Sequence, residues 1–209
     1  MFGEEYTLVA CSDYVLSKSP GSIVSNLSSS RALPDLAKQY GVNHFTSAVG
    51  EFHVVEKMKA VKAVIGGEGN GGVIYPKLHY GRDALVGIAL FLSLLAEKKL
   101  SISALKNKYT NYVMRKTKIN LNNDIKVDLI LKKIAKKFEN FNISESDGVK
   151  VDFEDSWIHL RKSNTEPIIR LYAEGKEMDH VDEIIKEFKE LILSLIHISE
   201  PTRHRLISY

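Results

Sequence analysis

The chain has 209 residues, 44% of them apolar and 26% charged, with a net charge of +3. That length holds one large domain or two small ones, the composition is that of a globular protein, and the charge is too small to argue for a nucleic-acid binder. The single cysteine, Cys11, excludes an internal disulfide and a cysteine-based zinc site. Along the chain, residues 4–18 read as a helix with Tyr6, Val9, Ala10 and Tyr14 near one face. A buried strand is expected at 21–27. A serine-capped helix follows, stopped at Gly41, then a strand in "NHFTSAV" and a helix in "GEFHVVEKMKA". "VKAVIGG" reads as a third strand, and "VIYP" as a short fourth one stopped by Pro76. The strongest helix lies in "GRDALVGIALFLSLLAEKKL", with Leu85, Ile88, Leu92 and Leu95 along a broad apolar face. A short capped helix restarts in "SISALKNKY".

Strands alternating with helices up to about residue 110 predict an α/β layer structure. The pattern then changes to an exposed strand ("NYVMRKTKINL"), an amphipathic helix ("DIKVDLILKKIAKKF"), and a meander ("GVKVDFEDSWIHLRKS", then "PIIRLYAEG") with Trp157 in its core. A helix at 179–193 closes it, with Val181, Ile184, Ile185, Phe188 and Ile192 on one face. This second part reads as a small α+β domain. Residues 194–209 do not continue the helix pattern and resemble translated adapter sequence, so they are set aside as a non-native tail. Expected domains are therefore 1–110 and 111–193. The apolar run at 84–96 is too short to span a bilayer, and Glu4 and Glu5 stand where a secretion signal would be basic. A cytoplasmic setting without membrane or nucleic-acid partners is expected.

Two loops carry the chemistry. "GGEGNGG" (66–72) holds five glycines in seven residues, which no helix or strand interior tolerates. Gly67, Gly69 and Gly72 satisfy G-x-G-x-x-G, but the loop runs into a β-type stretch and not a helix, so the dinucleotide fingerprint fails in context. What remains is Glu68 and Asn70, an acceptor and an amide able to grip vicinal sugar hydroxyls. The same residues also suit a tight turn whose Glu68 faces solvent. "RKSNTEPIIR" (161–170) sits between strands. Arg161 can fork onto phosphate oxygens, Ser163 and Thr165 offer hydroxyls, Asn164 tolerates a left-handed turn, and Arg170 lies on the returning strand. A solvated hairpin paired to Glu166 and Asp155 fits equally. The histidines at 44, 53, 79, 159 and 180 show no metal-ligand spacing. The lysines of "LKKIAKKFEN" read as a solvated helix face.

"GEGNGG" followed by "HYGRDALVGIAL", with "RKSNTEPIIR" further on, resembles the α-D-phosphohexomutase family, which includes phosphoglucosamine mutase, phosphomannomutase and phosphoglucomutase. The similarity runs from about residue 2 to 193. Members have four domains. The resemblance implies the end of the second, all of the third (a three-layer α/β domain) and all of the small α+β fourth. It makes the glycine loop a sugar-recognition loop, with Glu68, Asn70 and Gly71 on the sugar. Many members carry serine at the position of Asn70 and histidine at that of Gly72. "SAVGEFHVVEKM" resembles the family's other third-domain site loop, which places Gly50 and Glu51 near the sugar. Arg161, Ser163, Asn164, Thr165 and Arg170 fall on its phosphate-binding loop, which holds the phosphate that is not transferred. Arg82 and Asp83 match the start of the helix after the sugar loop, Asp83 as a helix-start partner.

The family interconverts hexose or hexosamine 6-phosphates and 1-phosphates through a bisphosphate. It uses a phosphoserine in a "TASHNP"-like stretch and a magnesium site of D-x-D-x-D-R type. Neither stretch occurs here: "SSS" at 28–30 lacks the following His-Asn-Pro, and "DFED" at 152–155 lacks the third aspartate and the arginine. The chain is therefore expected to be the C-terminal part of a mutase, taking a phosphosugar, binding no magnesium itself and inactive alone. The alternative is a phosphosugar- or nucleotide-binding module without mutase activity.

Overall fold

The computed structural model describes residues 2–121, 125–163 and 165–199. They divide into two compact units. The first runs up to Met114 and includes Glu174–Glu177. The second is Arg115–Ala173 with the residues from Met178 onward.

The first unit contains, in order, α1 (Glu4–Lys18), β1 (Ile23–Asn26), α2 (Ala32–Gln39), β2 (His44–Ser47), α3 (Glu51–Val61), β3 (Ile65–Glu68), β4 (Gly72–Ile74), α4 (Ala84–Lys98) and α5 (Ile102–Lys106). The sheet order is β2-β1-β3-β4. β1 pairs in parallel with β2 and β3, and β4 runs antiparallel to β3. A sheet with parallel strands needs cover on both faces, and successive residues point to opposite sides. Ile23, Ile65 and Val73 accordingly join α1, α2 and α4 in one core. Val24 and Ile74 join Val54 and Met58 of α3 in another. The result is a three-layer α/β arrangement.

Several local expectations are corrected. The third strand starts at Ile65 and not at residue 61, because Lys62 adopts a left-handed φ of 51° that ends α3. α1 buries Leu8, Val9, Cys11, Val15 and Leu16 as well as Tyr6 and Ala10, since it packs against α2, α4 and β3 together. On α4 the apolar face expected to be inside is largely outside: Leu85 is 78% exposed, Ile88 55% and Leu92 56%. The buried positions are Gly87, Leu90 and Leu94, with Leu95 partly covered. The expected serine is not the N-cap of α2, which is Arg31; Ser30 Oγ, one residue earlier, accepts the Ala32 N–H at 3.2 Å.

In the second unit β5 (Val113–Asn120), whose first residues belong to the first unit, leads to α6 (Val127–Lys137). Then come β6 (Asn142–Ser144), β7 (Val149–Asp152), β8 (Trp157–Lys162), β9 (Ile168–Gly175) and α7 (Met178–Ser199). The sheet order is β5-β9-β8-β7-β6. Trp157 is fully buried, and Phe138 stacks on Phe188 with ring centroids 4.8 Å apart. All five residues of the predicted α7 stripe are buried. β6 was not anticipated from the sequence. α7 continues to Ser199, past the expected end at residue 193, and 200–209 lie outside the described residues. Among the described residues no helix is long and apolar enough to cross a membrane.

Candidate functional site

β3 ends at Glu68 and β4 begins at Gly72. The two residues are ladder partners, so Gly69, Asn70 and Gly71 form a three-residue hairpin turn. Glu68 does not face solvent: it is 4% exposed. Its Oε1 accepts the Nδ2–H of Asn26 at 3.0 Å and the backbone N–H of Gly50 at 3.0 Å. Arg82 Nη1 lies 3.4 Å from its Oε2. A buried carboxylate needs such donors, because desolvation otherwise disfavours its charge.

Gly50 caps α3 with φ 120°, a left-handed value that frees its N–H to point at Glu68. Glu51 follows as the first residue of α3. It accepts from Arg82 twice, from the backbone N–H at 3.0 Å and from Nε at 2.8 Å. The backbone bond and then the guanidinium bond hold its carboxyl below the usual range. Gly50, Glu51, Glu68 and Arg82 are thus brought together. Asn70 is exposed and turns its Oδ1 to the Gly72 N–H at 3.2 Å, while Gly71 sits beside it in the turn. Asp83 caps α4 by accepting the Val86 N–H at 3.0 Å. His79 bonds its other oxygen at 3.0 Å. These contacts, led by the Val86 N–H, hold the Asp83 carboxyl low.

In the second unit Arg161 and Lys162 end β8. Arg161 Nε lies 3.6 Å from Asp147 Oδ2, too far for a hydrogen bond, and that buried atom has no hydrogen-bond partner. Asp147 is an ion partner of Arg161, while Glu166 pairs with Arg170 as the hairpin reading expected. Ser163 is buried; its N–H donates to Ile168 O at 3.1 Å and its Oγ accepts the Thr165 N–H at 3.4 Å. Asn164 lies outside the described residues. Arg170 donates from Nη2 to Glu166 Oε2 at 3.3 Å. Gly148 brings the β7 end against this strand: a Cβ there would run into Leu160 O and lie 2.9 Å from Arg161 Cα.

Sequence reasoning missed Asn26, Ser29 and Asp147. The available signal for the first two was a polar Asn-Leu-Ser-Ser-Ser run leaving the carboxyl end of a parallel strand, where α/β sheets place ligands. Among the described residues no group of three or more His, Cys, Asp or Glu gathers in a way that could hold a metal.

Residues 3–112 match the family model for the phosphoglucomutase/phosphomannomutase alpha/beta/alpha domain III, and residues 114–191 match the model for its C-terminal domain. The chain is 34% identical over 172 residues to a phosphoglucosamine/phosphogalactosamine mutase of Sulfurisphaera tokodaii, covering 81% of this chain and 38% of that protein. It is 33% identical over 193 residues to a phosphoglucomutase/phosphomannomutase of Thermococcus kodakarensis, covering 91% and 41%. A solved phosphoglucomutase/phosphomannomutase family protein from Burkholderia thailandensis superposes with a TM-score of 0.77 at 25% identity, over 92% of this chain and 42% of that one. The chain spans about two-fifths of the length of the curated relatives it matches. With both of its units matched in order, the chain belongs to the phosphoglucomutase/phosphomannomutase family and carries that family's domain III and C-terminal domain.

Proposed function

We propose that this chain supplies the sugar-binding and phosphate-binding groups of a phosphohexomutase that interconverts hexose or hexosamine 6-phosphates and 1-phosphates through a bisphosphate. The observation that carries the reading is Glu68: a buried carboxylate with two donors on Oε1 and only a 3.4 Å contact from Arg82 on Oε2. That second oxygen has lone pairs left for sugar hydroxyls. In the second unit, the Arg161 Nε–H that lacks a hydrogen-bond partner supports phosphate binding, with Ser163, Asn164, Thr165 and Arg170 as further contributors. Glu51, Asn70, Gly50 and Gly71 complete the sugar-binding set.

Phosphoryl transfer needs a nucleophile and charge neutralisation in transit. Among the described residues no group of three or more His, Cys, Asp or Glu is placed to hold magnesium, the family's metal, and the sequence has no D-x-D-x-D-R stretch. On this reading the chain alone binds phosphosugar without turning it over. The names of the two relatives cover hexosamine, glucose and mannose phosphates. A nucleotide reading is disfavoured because the glycine turn opens into β4 and not into a helix N-terminus.

The test is calorimetric titration with glucosamine 6-phosphate, with mannose 6-phosphate and inorganic phosphate as comparators. Sugar phosphate should bind more tightly than inorganic phosphate. Arg161→Ala should weaken it by about 10- to 100-fold, from charged hydrogen bonds of about 1.5–3 kcal/mol each. Equal affinity for inorganic phosphate and the sugar phosphates sinks the sugar-binding reading. Mutase turnover by the pure chain sinks the inactivity.

A further inference from the structure

We propose that Asn26 is the positioning residue for the Glu68 carboxylate and that Ser29 locks Asn26 in its working orientation; this rests on the sugar-binding reading of Glu68. Asn26 closes β1 and is 6% exposed. Both ends of its amide are committed. Oδ1 accepts the Ser28 N–H at 3.0 Å and the Ser29 Oγ–H at 2.9 Å, and Nδ2 donates to Glu68 Oε1 at 3.0 Å. A flipped amide would set its NH2 against two donors and its oxygen against a carboxylate, so the network admits one orientation.

Ser29 does more than fix the flip. The same Oγ accepts the Gly69 N–H at 3.0 Å. One hydroxyl therefore ties the end of β1 both to the amide that holds Glu68 and to the residue that follows Glu68. Together with the Gly50 N–H, Asn26 saturates Oε1 with neutral donors. That leaves Oε2, with its 3.4 Å contact from Arg82, as the oxygen with lone pairs to spare. No reorganisation is then needed when a hydroxyl arrives, which is the physical content of preorganisation. The tri-serine run at 28–30, which lacks the neighbours of a phosphoserine motif, acquires a role as scaffold for this carboxylate.

The charged groups around the pair are Glu5 of α1, which accepts the Ser30 N–H at 3.1 Å, Glu51 of α3, and Arg82. His44 of β2 stands one residue back through Ser25 Oγ at 2.9 Å. None of them donates to Oε1. Replacing Asn26 by aspartate keeps the shape but sets two carboxylates within hydrogen-bond distance. Such a pair repels while both groups are charged and takes up one proton as pH falls, which restores a donor.

The experiment titrates the 209-residue chain with glucosamine 6-phosphate and with inorganic phosphate at about pH 8 and about pH 5.5. Wild type, Asn26→Ala and Asn26→Asp are compared, each referred to wild type at the same pH. Asn26→Ala should lose about tenfold in sugar-phosphate affinity at both pH values while keeping its inorganic phosphate affinity. Asn26→Asp should lose as much at the higher pH and regain most of it at the lower one. A purely structural role predicts no such acid rescue. Variants that bind like wild type throughout, or an aspartate variant equally weak at both pH values, overturn the inference while leaving the sugar-binding reading intact. Wild type with no preference for the sugar phosphate overturns both, and is seen before any variant is made. The aspartate variant keeps the test decisive if the alanine variant does not fold.

Discussion

Arg82 grips Glu51 from two sides, its backbone N–H at 3.0 Å and its Nε at 2.8 Å from the same carboxylate, and still brings Nη1 to 3.4 Å from Glu68. One cation therefore serves two carboxylates that would otherwise repel. The Arg82–Glu51 pair is well exposed, 44% and 36% by side chain, and exposed pairs contribute little to stability. Arg82→Met should leave the melting temperature nearly unchanged but weaken glucosamine 6-phosphate by about tenfold, read by calorimetry. Because Arg82 holds the Glu51 carboxyl below its usual range, the pairing persists as pH falls through the ordinary carboxylate range and is lost only below it.

His159 makes folding sensitive to acid. Its ring is 1% exposed and Nε2 donates to Asp147 O at 2.6 Å. Burial pushes its pKa down to about 4, against an ordinary 6.5. The unfolded chain takes up this proton near pH 6.5 and the folded one only near pH 4. The contribution is complete above the unfolded value and shrinks as pH falls between the two, by up to about 1.4 kcal/mol per pH unit. Urea unfolding across that window should show a shallower slope in His159→Gln than in wild type. Equal slopes would assign the acid sensitivity to other groups.

Cys11 is fully buried, with Sγ 3.4 Å from Gly87 O, and burial pushes its thiol up to about 12. The thiolate is the reactive form. A thiol-specific disulfide reagent near pH 8 should leave the native chain untouched and titrate one equivalent in denaturant. Rapid native labelling would show that α1 separates from α4.

Two glycines in the left-handed region should differ sharply. Gly148, at φ 75°, has no room for a Cβ beside Leu160 O, whereas Gly41, at φ 64°, has nothing within 4 Å. Gly41→Ala meets only backbone strain, about 1–2 kcal/mol. Gly148→Ala adds a clash with the strand that carries Arg161, for a total of about 2–4 kcal/mol, and should also weaken inorganic phosphate binding. Unfolding midpoints of the two units, followed separately, check both values.

Much of this architecture is legible in the sequence. The 3.6-residue stripes of α6 and α7 each specify one face, and those faces are buried, whereas β8 is buried on both faces from Trp157 to Leu160. α4 defeats the same reasoning because it is apolar nearly all round: periodicity cannot choose between Leu85-Ile88-Leu92 and Gly87-Leu90-Leu94. β6 is three residues, partly exposed and without alternation. In the site, Glu68 ends β3 and Glu51 opens α3, each beside glycines that draw attention in the sequence. Asn26 reads as one more residue of the expected strand at 21–27, and its partner lies 42 residues away, a separation that no local spacing encodes. Asp147 was missed for the same reason: only the β7–β8 pairing brings it near Arg161.

That 42-residue separation bears on the order of assembly. Asn26 and Glu68 meet only after β1 and β3 align in parallel across the intervening α2, β2 and α3, and such non-local pairings close slowly. A nascent or partly unfolded chain can therefore own every residue of the carboxylate's seat without possessing the seat. A ligand that takes its hydrogen bonds there draws only on the finished sheet. At a concentration a hundredfold above its Kd it would deepen the native basin by about 2.7 kcal/mol.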